Sequence, residues 1–204
     1  MLKVYVADCS PLLSPQELAH ALPYIDPLRQ EKIHRLVTAE KKAQSACAGL
    51  LLNHLFGDTS YELGANGKPH LTAEAGMHFN LSHSGQYVVC AVSDTDVGVD
   101  IESVSPIRPA VMRRCFHEEE HQWIGDDASR FTRLWTMKEA YMKLLGTGFS
   151  LPPKDISLTV PPKNGYDSAL NCHWQLLEWD YPITVCCGAG ESCEMIHINV
   201  KDLL

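Results

Sequence analysis

An α+β fold in two similar lobes, each with a small antiparallel sheet packed against helices, is what this sequence predicts. Three observations carry it. Helical and strand-like segments occur in both halves of the chain, as α+β architecture requires. The 204 residues suit two lobes of about 100 residues each. The pattern breaks at Ser105-Pro106, which divides the chain into lobes 1–105 and 106–204. No sequence repeat relates the halves, so the expected pseudo-two-fold symmetry would be structural only.

The elements follow in order. Residues 2–8 alternate as a strand does. Ser14-Pro15-Gln16-Glu17 opens a short helix, with Ser at the N-cap, Pro at the first helical position and Glu at the third. A basic stretch, Arg29 to Lys42, leads into a helix over 43–56, where apolar residues recur at three- and four-residue spacing. Residues 57–76, rich in Gly, Asn, Pro and Asp, read as loop. Strands are expected at 77–81, 87–93 and 97–102, the last two joined as a hairpin by Ser93-Asp94-Thr95-Asp96. In the second half, helices are expected near 107–115, from Glu118, and from Ser129 to Leu145, with Gly146 as C-cap. Strands are expected near 155–160, 172–179, 182–188 and 195–200.

Composition narrows the function. With 45% hydrophobic and 21% charged residues the chain reads as a globular protein. No apolar run approaches the ~20 residues that span a bilayer, and the N-terminus reads as a strand without signal-peptide architecture. A cytoplasmic protein is therefore expected. Eight cysteines sit mostly in apolar segments with no C-x-x-C pair, which points to reduced buried thiols. A formal charge of −8 disfavours nucleic-acid and anionic-membrane partners, but leaves room for a small polyanion gripped by a few converging cations.

Two segments bear the chemistry. In Val97-Gly98-Val99-Asp100-Ile101-Glu102, Asp100 and Glu102 share one strand face while Val99 and Ile101 point to the core. Adjacent carboxylates repel and are suited to a hard divalent cation held against phosphate. In the helix, Trp135, Glu139, Lys143 and Gly146 share a stripe. Taken singly, each also fits a plainer role: an exposed strand face, a surface i,i+4 ion pair, a cap. The turn at Phe79-Asn80-Leu81-Ser82-His83-Ser84 could offer hydroxyl and imidazole groups to an anion, and Asn66-Gly67-Lys68-Pro69 presents one cation.

The ordered set resembles the 4′-phosphopantetheinyl transferase superfamily: Gly67-Lys68-Pro69, Phe79-Asn80-Leu81-Ser82-His83-Ser84, Val97 to Glu102, and Trp135-x-x-Lys138-Glu139-Ala140-x-x-Lys143-x-x-Gly146. The matching motifs span residues 67–152, and the length resembles the two-lobed monomeric type that activates peptide synthetases. The resemblance implies transfer of phosphopantetheine from coenzyme A to a serine of an apo acyl or peptidyl carrier protein, with Mg²⁺ (or Mn²⁺) and release of 3′,5′-ADP. It implies that Asp100, Glu102 and Glu139 hold the metal, that Glu139 is the base, and that Lys143 contacts the phosphate under attack. Asp100 would also face coenzyme A. Ser82 and His83 would serve the 3′-phosphate side, and Lys68 and Pro69 the adenine nucleotide. Lys138 would lie on the coenzyme A side, Glu120 near the metal, and Trp135 would pack between the lobes. The arginine that the resemblance leads one to expect for the 3′-phosphate is missing from Ala43 to Gly49, and Lys32, Arg35, Lys41 or Lys42 could substitute. A non-catalytic relative that binds coenzyme A or a carrier, and a metal-dependent nuclease, are the competing readings; the net charge opposes the second.

Overall fold

A computed structural model describes residues 1–57, 61–64, 66–72, 76–190 and 192–204. The first half contains β1 (Leu2–Asp8), α1 (Pro15–Ala21), α2 (Pro27–Arg35), α3 (Ala39–Phe56), β2 (Tyr61–Leu63), β3 (Pro69–Leu71), β4 (His78–Ser84), β5 (Tyr87–Ser93) and β6 (Val97–Ile101). The second contains α4 (Pro109–Cys115), α5 (Glu118–Ile124), α6 (Ala128–Leu145), β7 (Gly165–Asp167), β8 (Cys172–Leu177), β9 (Ile183–Cys187) and β10 (Cys193–Ile198). The fold is α+β. No helix among the described residues is long and apolar enough to cross a membrane.

Two four-stranded sheets, ordered β10-β1-β5-β4 and β6-β9-β8-β7, lie face to face between two sets of helices. Strand periodicity builds these layers. In β5, Val88, Cys90 and Val92 face the helices of the first half, while Tyr87, Val89 and Ala91 face the other sheet. There they meet Val97, Val99, Ile101, Ile183 and Val185. The far face of the second sheet packs Cys172, Trp174 and Cys186 against α6 residues such as Met137 and Ala140.

Several expectations are corrected. Ser93 to Asp96 closes no hairpin, because β5 and β6 belong to different sheets; the true hairpin joins β4 to β5. The expected boundary at 105 separates the helices but not the strands. β6 pairs with β9 across it, and β10 returns to pair with β1. That last pair is parallel, so the first sheet is mixed. Helix α2 was hidden in the basic stretch; Asp26 caps it by accepting from the Arg29 N–H at 2.9 Å. Helix α3 starts earlier than its apolar periodicity does, because Thr38 caps a polar first turn. In the expected loop 57–76, residues 58–60, 65 and 73–75 lie outside the described residues; the rest includes the β2–β3 pair. All eight cysteines are free thiols.

Residues 155–160 form no strand, and the reason bears on the site. Side chains take the backbone groups a neighbouring strand would need. Lys138 Nζ donates to the carbonyls of Pro153 and Ile156 at 3.1 and 2.6 Å, and the Leu158 N–H donates to Glu120 at 3.0 Å. Lys138 and Glu120 form an ion pair at 2.9 Å with side chains 0% and 1% exposed. Glu120 also caps α5 by accepting the His117 N–H. The expectation that Lys138 faces coenzyme A and Glu120 a metal is therefore corrected: both are sealed inside the second half with their hydrogen-bonding capacity used. Breaking such a buried pair strands a charge. Lys138→Ala is expected to cost about 3–5 kcal/mol, read from urea unfolding. A loss below ~1 kcal/mol would contradict the sealed pair.

Candidate active site

Strand β6 and helix α6 bring the two chemistry-bearing segments together. On β6 the core face carries Val97, Val99 and Ile101, which turns Gly98 and Asp100 toward α6. Gly98 has no room for a side chain: a Cβ there would strike the carbonyl of Ala140 and the backbone nitrogen of Leu144. The helix thus lies directly on the strand. It ends where Gly146 adopts a left-handed conformation (φ 65°) and gives its N–H to the Lys143 and Met142 carbonyls, and the Asn66 to Pro69 segment caps the carbonyls beyond. Lys68 Nζ donates to Leu144 O at 2.8 Å and Asn66 Nδ2 to Gly146 O at 2.9 Å.

Asp100 is the centre. Its Oδ1 accepts from Lys143 Nζ at 2.6 Å and from the Ser82 hydroxyl at 2.7 Å. Ser82 in turn accepts from Lys143 at 2.8 Å. Lys143 therefore crosses to Asp100 and is no surface partner of Glu139. The other oxygen, Asp100 Oδ2, is buried without a hydrogen-bond partner. Glu102 accepts from the Ser84 hydroxyl at 2.9 Å. Burial, and then the Asp100 charge, push its carboxyl above the usual range, which Ser84, Lys143 and Arg108 partly offset. Glu139 has no hydrogen-bond or ion-pair partner among the described residues. Burial first, then Asp100, push it up from 4.5 to about 7; Lys143 opposes this and Glu102 adds to it. Asp100 thus acts on both glutamates, and Glu102 on Glu139, across the β6–α6 contact.

No group of three His, Cys, Asp or Glu side chains stands arranged to hold a metal ion among the described residues. The donor set nonetheless fits a hard cation. The Asp100 charge raises both Glu102 and Glu139, and a buried carboxylate oxygen of Asp100 has no hydrogen-bond partner, a cost that a divalent ion would relieve.

The remaining expected residues fall around this centre. His83 follows Ser82 on β4. Surrounding protein first, then the charges of Lys143 and Lys32, hold its imidazole below the usual range. Exposed Lys32 on α2 is thereby placed on the same side as His83. Lys41 is exposed in the first turn of α3, and none of the described contacts brings its side chain here. Gln44 of α3 donates to the Gly85 carbonyl at 2.7 Å, pinning the β4–β5 turn. Lys68 and Pro69 line a cleft of about 180 Å³ with His70, His78 and Phe79. A larger cleft of about 550 Å³, between Tyr24, Leu52 and Phe56, holds none of these side chains. Trp135 does not pack between the lobes: it tilts on Phe116 at 6.5 Å within the second half. Ser84 and Asn80 are contacts that the sequence reading quoted without a role. Their signal was a polar residue at every second position of a strand.

A family model described as the 4′-phosphopantetheinyl transferase superfamily matches residues 96–186, which include β6 and α6. The chain is similar to the 4′-phosphopantetheinyl transferase Sfp of Bacillus subtilis (strain 168), 27% identical over 224 residues that span all of both chains. It is 30% identical to the 4′-phosphopantetheinyl transferase HetI of Nostoc sp. (strain PCC 7120 / SAG 25.82 / UTEX 2576), over 84% of this chain and 75% of that protein. It is 46% identical to the 4′-phosphopantetheinyl transferase psf-1 of Bacillus pumilus over 95 residues, 44% of this chain and 41% of that one.

Proposed function

The chain belongs to the 4′-phosphopantetheinyl transferase superfamily, and from that membership we propose that it transfers the 4′-phosphopantetheine of coenzyme A to a serine of an apo carrier protein. The observation that carries this is the junction of Asp100, Glu102, Glu139 and Lys143, contributed by two distant segments.

The residues divide the work. Asp100, Glu102 and Glu139 would hold a divalent cation, Mg²⁺ or Mn²⁺, whose chemistry is to neutralise charge on the pyrophosphate. Glu139, which has no protein hydrogen-bond partner among the described residues, takes the proton of the attacking serine. The serine Oγ–P bond forms as the pyrophosphate P–O bond breaks, and 3′,5′-ADP leaves. Lys143 gives its ammonium to the phosphoryl group under attack, letting go of one carboxylate oxygen to do so. Ser82, His83 and Lys32 serve the 3′-phosphate side, and the Lys68-Pro69 cleft the adenine. The two halves of the chain then contribute unequally: the nucleotide is gripped by the first, the base and lysine come from the second.

The direct test is mass spectrometry of an apo carrier incubated with the protein, coenzyme A and Mg²⁺. A gain of one phosphopantetheine is expected. Binding of coenzyme A without product, across a panel of fatty-acid, polyketide and peptide-synthetase carriers, would favour the non-catalytic alternative.

Lys32→Ala is expected to raise the KM for coenzyme A about tenfold with kcat little changed, because it removes a charged contact from the ground state and transition state alike. Lys41→Ala is expected to leave both unchanged. The reverse pattern would move the 3′-phosphate grip to α3.

A further inference from the structure

Where the two sheets stack, the end strand of one lies against the end strand of the other. Strand β4 ends the first sheet and β6 ends the second, and the two strands lie close together. Neighbouring end strands can pair through their backbones. Here no ladder forms between them; side chains of β4 at every second position reach β6 instead. Asn80 Oδ1 accepts the Val99 N–H at 3.0 Å. The Ser82 hydroxyl donates to Asp100 at 2.7 Å. The Ser84 hydroxyl donates to Glu102 at 2.9 Å and accepts the Ser103 N–H at 3.0 Å. The contacts climb both strands together, and both Asn80 and Ser82 are buried.

A backbone ladder would fix the spacing of the two strands but could not orient a carboxylate. A hydroxyl donated to one carboxylate oxygen can, and it leaves the other oxygen free. Asn80 sets the register of β6 from below, and Ser84 clamps both the side chain of Glu102 and the backbone just beyond it.

We infer that Asn80 and Ser84 are positioning residues, which through this side-chain seam hold Asp100 and Glu102 at the height and orientation their cation requires. The inference rests on the metal-dependent transfer proposed above. Neither residue touches coenzyme A in this role, so each acts on metal affinity rather than on nucleotide binding. Partners of metal-holding carboxylates are commonly worth 10- to 100-fold in affinity.

The test uses the full chain and the variants Ser84→Ala, Ser84→Thr, Asn80→Ala and Asn80→Asp. Mn²⁺ binding is read by electron paramagnetic resonance, and amide hydrogen exchange over residues 97–103 is read in metal-free buffer. Ser84→Ala is expected to weaken Mn²⁺ about tenfold or more, with the KM for coenzyme A unchanged. The amides of 99–103 should exchange faster. Ser84→Thr, which keeps the hydroxyl, should restore both. Asn80→Ala should speed exchange at Val99, and Asn80→Asp, which keeps the acceptor, should not. Unchanged Mn²⁺ affinity and unchanged exchange in Ser84→Ala would overturn the inference. If the unsubstituted protein itself binds no Mn²⁺, the metal reading fails on its own. The exchange arm then decides the seam: faster exchange supports it, and unchanged exchange overturns it.

Discussion

Glu139→Gln is expected to lower kcat by about a thousandfold, since glutamine keeps the shape and cannot accept the serine proton. Carrier loading followed by mass spectrometry is the measurement, and a fully active variant would remove Glu139 from the role of base. The same substitution is expected to stabilise the metal-free protein at pH 8. The sign follows from the raised pKa. In the folded chain Glu139 titrates near 7 instead of 4.5, so folding disfavours its charged form. Below pH 4.5 the group is protonated whether folded or unfolded, and nothing is lost. As pH rises toward 7 the unfolded chain ionises first and stability falls; above 7 the loss is complete. Glu102 is shifted in the same direction and adds to the slope. The gap between the unsubstituted protein and Glu139→Gln should therefore open between about pH 4.5 and 7 in chelating buffer. Saturating Mg²⁺ should narrow it. Thermal midpoints across that range check the prediction, and a pH-independent gap would contradict the crowding of carboxylates.

Gly98→Ala is expected to be the most damaging single-methyl change at the site. The added Cβ would overlap the backbone of Ala140 and Leu144, atoms that cannot rotate aside. Helix α6 must then lift from β6, at a cost of about 3 kcal/mol. The displacement separates Glu139 and Lys143 from Asp100 and Glu102, and a shift of about 1 Å can cost a hundredfold in rate. The KM for coenzyme A should change less, because Ser82, His83 and Lys32 do not ride on α6. Urea unfolding and kcat are the two measurements. An alanine variant with the original stability and rate would show that the helix does not lie on the strand as described.

Local rules carried much of the fold. Strand signals placed β1, β5 and β6, and Gly146 marked the end of α6. The helix start at Ser14-Pro15 was legible, although the Ser14 side chain makes no capping bond. What failed were inferences that needed to know a neighbour. Ser93 to Asp96 is a turn by composition, yet whether it closes a hairpin depends on which sheet each flanking strand joins. Residues 155–160 alternate like a strand, but Lys138 and Glu120 take the backbone bonds a strand would use. Lys138 lies next to Glu139 in sequence and 100° away on the helix, which puts it in the core.

The candidate site divides the same way. The sequence by itself determined which residues share a face: Asp100 with Glu102 on one strand, Glu139 with Lys143 on one helix. Those pairings follow from backbone periodicity, which is a local property. Only the tertiary structure decided that Lys143 bridges to Asp100 rather than to Glu139, that β4 is stitched to β6 by Asn80, Ser82 and Ser84, and that Glu139 is left uncommitted at a pKa of about 7. These outcomes depend on burial and on charges brought close from distant parts of the chain, and neither is set until the two sheets have packed.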